Sequence, residues 1–336
     1  MDSYPNASVT ANGLTTAKPC RIAVVIPCYR VCEQILGVLQ AVGEEVRTIY
    51  VIDDACPDDT ASLVLSACKD PRMRVIRNPR NVGVGGAVMR GYREALLDGH
   101  EIVVKIDGDG QMDPADLPRL IQPIVLGHAD YCKGNRFFDP EGLASMPWLR
   151  LLGNGLLSLL SKLSTGYWQL FDPNNGYTAI HAQVLAKLPL EKIAQRYFFE
   201  SDMLFRLGLM RAVVIDVPMP ARYGNERSHL NELKVAPEFL AKHLRNLGKR
   251  VLYQYYLRDM SLASIQLPLG LGLALFGAGF GAWHWMQSAL AATTASAGTV
   301  MLAALPLLVG VQLVLSFFAA DVAAQPRVVI HPLLAP

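Results

Sequence analysis

Between Arg21 and Tyr131 the apolar residues fall in short, unbroken, β-branched runs separated by stretches with a helical period. Ile22–Ile26, Ile49–Ile52, Met73–Ile76 and Ile102–Ile106 lack the alternation of a half-exposed strand, as strands covered on both faces do. Cys32–Glu45, Asp58–Cys68 and Val84–Leu97 carry the 3.6-residue spacing of helices. Strand alternating with helix implies an α/β sheet of parallel strands. Ligands of such sheets bind beyond the carboxyl ends of the strands, where Pro27-Cys28-Tyr29, Asp53-Asp54 and Asp107-Gly108-Asp109 stand. Further along, Leu149–Leu163 has leucines at helical spacing, Val213–Val217 reads as a strand and Ala236–Arg258 as a basic helix. Both helices suit a membrane interface with the apolar face down, core packing being the alternative for the first.

The pattern changes after Met260. From there to Ala320 the chain has no Asp, Glu, Lys or Arg, and Gln287–Gly298 divides this run into two segments of about 20 residues or more, each long enough to span a bilayer. The chain's 51% hydrophobic content and mean hydropathy of +0.25 owe their excess to this run. A buried helical pair is the alternative, but soluble helices show a charged face. Lys242, Arg245, Lys249, Arg250 and Arg258 precede the first span and Arg327 follows the second, whereas Ser288–Gly298 is uncharged. Both flanks are therefore expected on the cytoplasmic side. Residues 1–20 are polar, lack the apolar stretch of a signal peptide and are expected to be disordered. The implied division is a globular domain over 21–235, a basic juxtamembrane helix over 236–260, two spans within 261–324 and a cytoplasmic tail over 325–336.

Six scattered cysteines without CxxC spacing read as reduced structural thiols. A net charge of +2 says little about partners, but the lack of a basic patch with interleaved aromatics argues against nucleic acid.

The chemistry concentrates in Asp107-Gly108-Asp109-Gly110-Gln111. On an extended backbone, Asp107, Asp109 and Gln111 share a face and converge on an ion or on something the ion holds. Two carboxylates suit Mg²⁺ or Mn²⁺ that keeps waters and takes further oxygens from a diphosphate. The competing reading is an Asp/Gly turn after a buried strand.

In this order the motifs Val25-Ile-Pro-Cys-Tyr29, Val51-Ile-Asp-Asp54, Asn81-Val-Gly-Val-Gly-Gly-Ala87 with Gly91, Asp107-Gly-Asp-Gly-Gln111, Gly134-Asn-Arg136, Asp172-Pro-Asn-Asn-Gly-Tyr177, Phe198-Phe-Glu200 and Arg222-Tyr-Gly224 with Ser228 are specific. From Arg21 to about Leu257 the chain resembles the family 2 glycosyltransferases of the polyprenyl-phosphate hexose synthase group, such as dolichol-phosphate mannose synthases. The resemblance implies a GT-A type, Rossmann-like, mostly parallel α/β sheet with interfacial helices and a C-terminal two-helix transmembrane hairpin. It also implies a metal-dependent inverting transferase that moves a hexose from a UDP- or GDP-sugar to polyprenyl phosphate at the cytosolic membrane face.

The implied roles fall on named residues. Pro27, Tyr29 and Asp54 would hold base and ribose, and Asp107, Gly108, Asp109 and Arg136 the donor diphosphate and its cation, with Gln111 completing the metal set. Arg136, Arg150, Arg222, Ser228 and His229 would grip the lipid phosphate, guanidinium groups matching phosphate oxygens bidentately. Asp109, Asp172 and Glu200 are the candidate catalytic residues, with Asp172 expected to orient Arg136, the sugar or the metal shell. Val31 and His229 stand where the family usually has glutamate and lysine. The glycines of Asn81–Gly91 have the wrong spacing for a dinucleotide motif and read as strand-to-helix packing. Two other functions compete: transfer to a sugar hydroxyl of a growing glycan, and an inactive membrane scaffold or nucleotide-sugar sensor. Gly270, Gly272, Gly277, Gly279 and Gly281 in the first span suggest close helix contacts in a homo-oligomer.

Overall fold

The computed structural model describes residues 20–138, 148–173, 175–220 and 232–334, with only the backbone of 148–152, 154 and 232–235. Strands β1 (Ile22–Cys28), β2 (Val46–Asp53), β3 (Met73–Arg77), β4 (Ile102–Lys105), β5 (Tyr131–Asn135), β6 (Thr178–His181) and β7 (Val214–Pro218) form one seven-stranded sheet in the order β3-β2-β1-β4-β6-β5-β7. β3, β2, β1 and β4 run parallel, as the alternating pattern predicts. β6 reverses this and lies antiparallel to β4 and β5, while β5 and β7 are parallel.

The helices of the first half are α1 (Ile35–Ala41), α2 (Thr60–Ala67), α3 (Val84–Leu97) and α4 (Leu117–Val125). α3 has the expected bounds, but α1 is shorter than Cys32–Glu45. The amides of Gln34 and Ile35 both bond to the Val31 carbonyl in a tight turn, and Val42 leaves the helix in an extended conformation. Val24, Ile26 and Val104 of the sheet pack with Ile35 of α1 and Leu120 of α4 on one face. Ala23, Val25 and Val103 pack with Val88 of α3 on the other. Each such fully buried aliphatic side chain is worth about 1.5–3 kcal/mol over leaving it exposed. A Cβ on Gly91 would collide with Val25, so α3 lies on β1 at a distance only glycine permits.

The second half adds α5 (Trp148–Thr165), α6 (Ala182–Leu185), α7 (Phe199–Met210) and α8 (Glu232–Leu252), which passes through a π-helical turn at Tyr253–Arg258 into α9 (Leu262–Ala291) and α10 (Ala297–Ala323). α9 and α10 are long and apolar enough to cross a membrane, and most of their surface is exposed. Gly270 faces the Gly310 carbonyl at 2.9 Å from where its Cβ would stand, and Gly277 faces Ala303 and Leu307 backbone at 2.6 Å. Those glycines, expected to serve an oligomer, are consumed within the hairpin; Gly272 and Gly279 meet nothing within 4 Å. Exposed Leu240, Leu244, Leu252 and Leu257 extend the apolar surface along α8 and the π turn, and Leu156 and Leu159 add to it on α5.

Both ends of the hairpin return to the globular domain. Near the end of α10, Asp321 accepts a hydrogen bond from Trp168 Nε1 at 2.9 Å. Beyond it the amides of Ile330 and His331 bond to the carboxylate of Asp130, which is wholly buried at the foot of β5. The segment after the second span is therefore docked on the domain as far as residue 334, because Asp130 needs donors and Ile330 packs against the core.

Candidate active site

β4 delivers the centre of the site. Lys105, in register with Val25 of β1 and Thr178 of β6, has no exposed surface. Its ammonium lies 2.8 Å from Asp107 Oδ1 and 3.2 Å from Glu200 Oε1, at the start of α7, and 5.9 Å from the centre of the Phe199 ring. Burial opposes the lysine charge, but the two carboxylates more than offset it and hold the ammonium above the usual lysine range. Burial likewise pushes the Glu200 carboxyl up, with Lys105 opposing. Lys105 was not among the expected site residues. The signal was a single charge inside an otherwise apolar strand, which folding tolerates only when it is paired.

After Lys105 the chain turns. The amide of Gln111 donates to Asp109 Oδ1 at 3.0 Å, and Gly110 takes φ +75°. The strand alternation expected to align Asp107, Asp109 and Gln111 therefore ends before them; a local Asx turn shapes the loop instead. Gly108 sits against Val31 and the Pro27 carbonyl, so the loop closes onto the end of β1. On its far side is Gly176, where a Cβ would collide with Asp107 Oδ2 and fall 2.5 Å from Lys105 Nζ. Asp107 is thus wedged between a lysine and a bare backbone.

Gly176 also carries the second half of the site. In the turn before it, Asn175 Nδ2 donates to Asp172 Oδ2 at 3.3 Å. Asp172, only 4% exposed, receives Arg136 Nε at 2.9 Å and Arg136 Nη2 at 3.2 Å. This is a two-pronged pair that fixes the guanidinium plane while 36% of the arginine stays accessible. Asn135 and Lys133 of β5 are anchored beside it by Asp216 of β7, at 3.0 Å each.

The residues expected at the nucleotide stand at the ends of β1 and β2. Tyr29 is 44% exposed past β1, with the Arg30 guanidinium 5.5 Å from its ring centre. Asp54, expected at a ribose, is buried, and its carboxylate accepts from Asn78 Nδ2 at 2.8 Å and the amides of Val82 and Gly83 at 3.0 and 2.8 Å. These three donors take up much of its acceptor capacity and tie the loop that leads into α3 to the end of β2. Asp202 has a similar structural duty, binding the Ala194 amide and Arg206. Arg222, Ser228, His229 and the Arg150 side chain lie outside the described residues.

The donor set fits a hard divalent cation in part. Asp107, Asp109 and Gln111 offer oxygens at one loop, but among the described residues no group of three or more His, Cys, Asp or Glu is placed to hold a metal. Such a site needs oxygens from a substrate.

Residues 23–188 match the family described as glycosyl transferase family 2. The undecaprenyl-phosphate mannosyltransferase of Micrococcus luteus is 32% identical over 59% of this chain and 82% of its own. The chain belongs to glycosyl transferase family 2. The polyprenol monophosphomannose synthase of Mycolicibacterium smegmatis is 29% identical over 59% of this chain and 76% of its own. A UDP-N-acetylglucosamine--dolichyl-phosphate N-acetylglucosaminyltransferase of Methanococcus voltae is 27% identical over 60% and 86%. Among solved structures, glucosyl-3-phosphoglycerate synthase of Mycobacterium tuberculosis, crystallised with Mn²⁺, UDP and glucosyl-3-phosphoglycerate, shares the fold with a TM-score of 0.53 at 23% identity, over 68% of this chain and 80% of that one.

In this family 2 glycosyltransferase the sheet is therefore of the expected GT-A type, and α9 and α10 fit a transmembrane hairpin. The six cysteines are free thiols, as expected.

Proposed function

We propose that this glycosyltransferase moves a hexose from a nucleoside-diphosphate sugar to polyprenyl phosphate, with inversion, at the membrane face where its globular domain sits. The observation that carries this reading is the commitment of Asp172 to Arg136 through two hydrogen bonds. A carboxylate whose two oxygens both hold a guanidinium serves to orient it, whereas a sugar hydroxyl needs a base turned towards it. A phosphate monoester, with a second pKa of about 6, brings its own anionic oxygen near neutral pH. Arg136, oriented by Asp172, binds and aims that phosphate. Mg²⁺ or Mn²⁺ on Asp107, Asp109 and Gln111 would take charge off the departing diphosphate. Tyr29 and Pro27 flank the nucleotide at the end of β1.

Three of the relatives carry polyprenyl- or dolichyl-phosphate transfer in their names, which supports the acceptor class. Exposed leucines on α8 support a membrane-lying face, where a lipid phosphate would present itself. The basic flanks and the uncharged link between the spans support a cytosolic globular domain, and the open Gly272 and Gly279 leave a face for a second copy.

The test incubates membranes containing the protein with a panel of labelled UDP- and GDP-hexoses and added polyprenyl phosphate. Label entering the organic phase as a β-linked sugar phosphate from an α-linked donor is expected. A product bonded to a glycan hydroxyl, or a retained anomeric configuration, overturns the reading.

A further inference from the structure

We propose that Lys105 is a positioning residue that restrains Asp107 and weakens its grip on a free divalent cation, so that the cation is held well only together with a diphosphate, and that Glu200 sets the strength of this restraint. The inference rests on the reading of Asp107 and Asp109 as cation ligands.

The geometry allows Lys105 little else. Its Cα is fixed in the middle of the sheet by β1 and β6, its side chain has no route to solvent, and its ammonium reaches two acids. Asp107 Oδ1 is occupied by this ammonium at 2.8 Å, and Oδ2 lies against the backbone of Gly176. A cation that approaches Asp107 therefore meets a fixed positive charge one side chain away. At that range, with partial screening, a unit charge shifts affinity by about tenfold. The negative diphosphate of a donor offsets the repulsion and supplies the oxygens the protein lacks. Metal and nucleotide would then arrive and leave together, which suits an enzyme that must release a nucleoside diphosphate at every turnover.

Glu200 touches the site through Lys105, which lies between it and Asp107. Its Oε1, at 3.2 Å, shares the ammonium with Asp107, so its loss would leave the whole charge on Asp107 and tighten the restraint. Glu200, expected as a catalytic residue, becomes under this reading a positioning residue. Two predictions of opposite sign follow from the same Glu200 substitution. Glu200→Gln alone should weaken binding of free Mn²⁺, whereas Lys105→Met with Glu200→Gln removes the ammonium and its buried counter-charge together and should tighten it. A merely structural role for the pair gives weaker binding in both.

The experiment titrates Mn²⁺ into the purified full-length protein, with and without UDP or GDP, and reads free Mn²⁺ by electron paramagnetic resonance. Expected are a several-fold loss for Glu200→Gln and a gain of about tenfold for the double variant, with a smaller difference between nucleotide-bound and nucleotide-free protein. Shifts in the same direction, or no shift, overturn the inference. If the double variant fails to fold, Glu200→Gln decides: unchanged or tighter Mn²⁺ binding overturns it. Asp109→Asn separates the two levels. Mn²⁺ binding that survives this change removes the cation assignment and the inference with it; binding lost here but unmoved by the other variants removes only the inference.

Discussion

Arg250 and Asp321 meet in a two-pronged ion pair, Nη1 to Oδ1 at 2.7 Å and Nη2 to Oδ2 at 2.9 Å, with both side chains sealed from solvent. Tyr255 Oη and Trp168 Nε1 add hydrogen bonds to the same carboxylate at 2.5 and 2.9 Å, and Arg250 also donates to the Leu163 carbonyl at the end of α5. One charge pair thus fastens α8, α5 and the π turn to the last turns of α10. A buried pair with every donor satisfied holds a rigid joint, and it becomes a liability when one partner is lost.

Asp321→Ala should cost about 3–5 kcal/mol, because it leaves a guanidinium buried without its counter-charge. Thermal unfolding in detergent measures this. Arg250→Met combined with Asp321→Leu should recover part of the loss, since no unpaired charge remains. A double variant as unstable as the single one would show that the charge is not what matters at this joint.

Asp109→Asn should abolish sugar transfer, by about a hundredfold or more, while leaving the unfolding midpoint unchanged. A chelator should do the same to the unsubstituted protein, and added Mn²⁺ or Mg²⁺ should restore it. Full turnover after both treatments would refute the metal-binding role of the loop.

Asp172→Asn should reduce transfer by roughly tenfold to a hundredfold and raise the KM for lipid phosphate, since the Arg136 plane loses its charged anchor. The pH profile of kcat should keep its shape, because no proton passes to Asp172. Loss of a basic limb from that profile would instead identify Asp172 as the general base.

Stability should fall on acidification for a reason located in α8. Burial holds the His243 imidazole down at about 4, against an ordinary 6.5, while Ser164 Oγ lies 2.8 Å from its Nδ1. Between these values the unfolded chain binds more protons than the folded one. The stabilisation is therefore complete above pH 6.5 and lost as pH falls towards 4, by on the order of 3 kcal/mol. His181, held down to about 4 by burial and by its neighbour His331, acts in the same window. Unfolding measured from pH 7 to 4 should show a shallower decline in His243→Gln than in the unsubstituted protein. Equal slopes would contradict the assignment.

What the sequence by itself determined is the part of the molecule governed by local patterning. Unbroken apolar runs located β1 to β4, since a strand covered on both faces has no polar alternative. The helical period located α3 to the residue, and 61 uncharged positions from Met260 to Ala320 located the hairpin. The motif order pointed to the family and to Asp107, Asp109, Arg136 and Asp172, because short polar segments after strands have few reasons to exist except chemistry or turns.

Tertiary structure decided the rest. β5, with Lys133 and Asn135, does not read as a buried strand until Asp216 of β7 is beside it. The reversed β6 depends on pairings with β4 and β5 that no local pattern encodes. The same holds for individual carboxylates. Asp54 and Asp107 look alike along the chain, yet the first accepts from the amides of residues 82 and 83 and the second meets a lysine, a glycine and open solvent. Periodicity records which face of an element is buried, but the partners of a buried charge come from strands and loops tens of residues away, and only the packed sheet brings them within hydrogen-bonding distance.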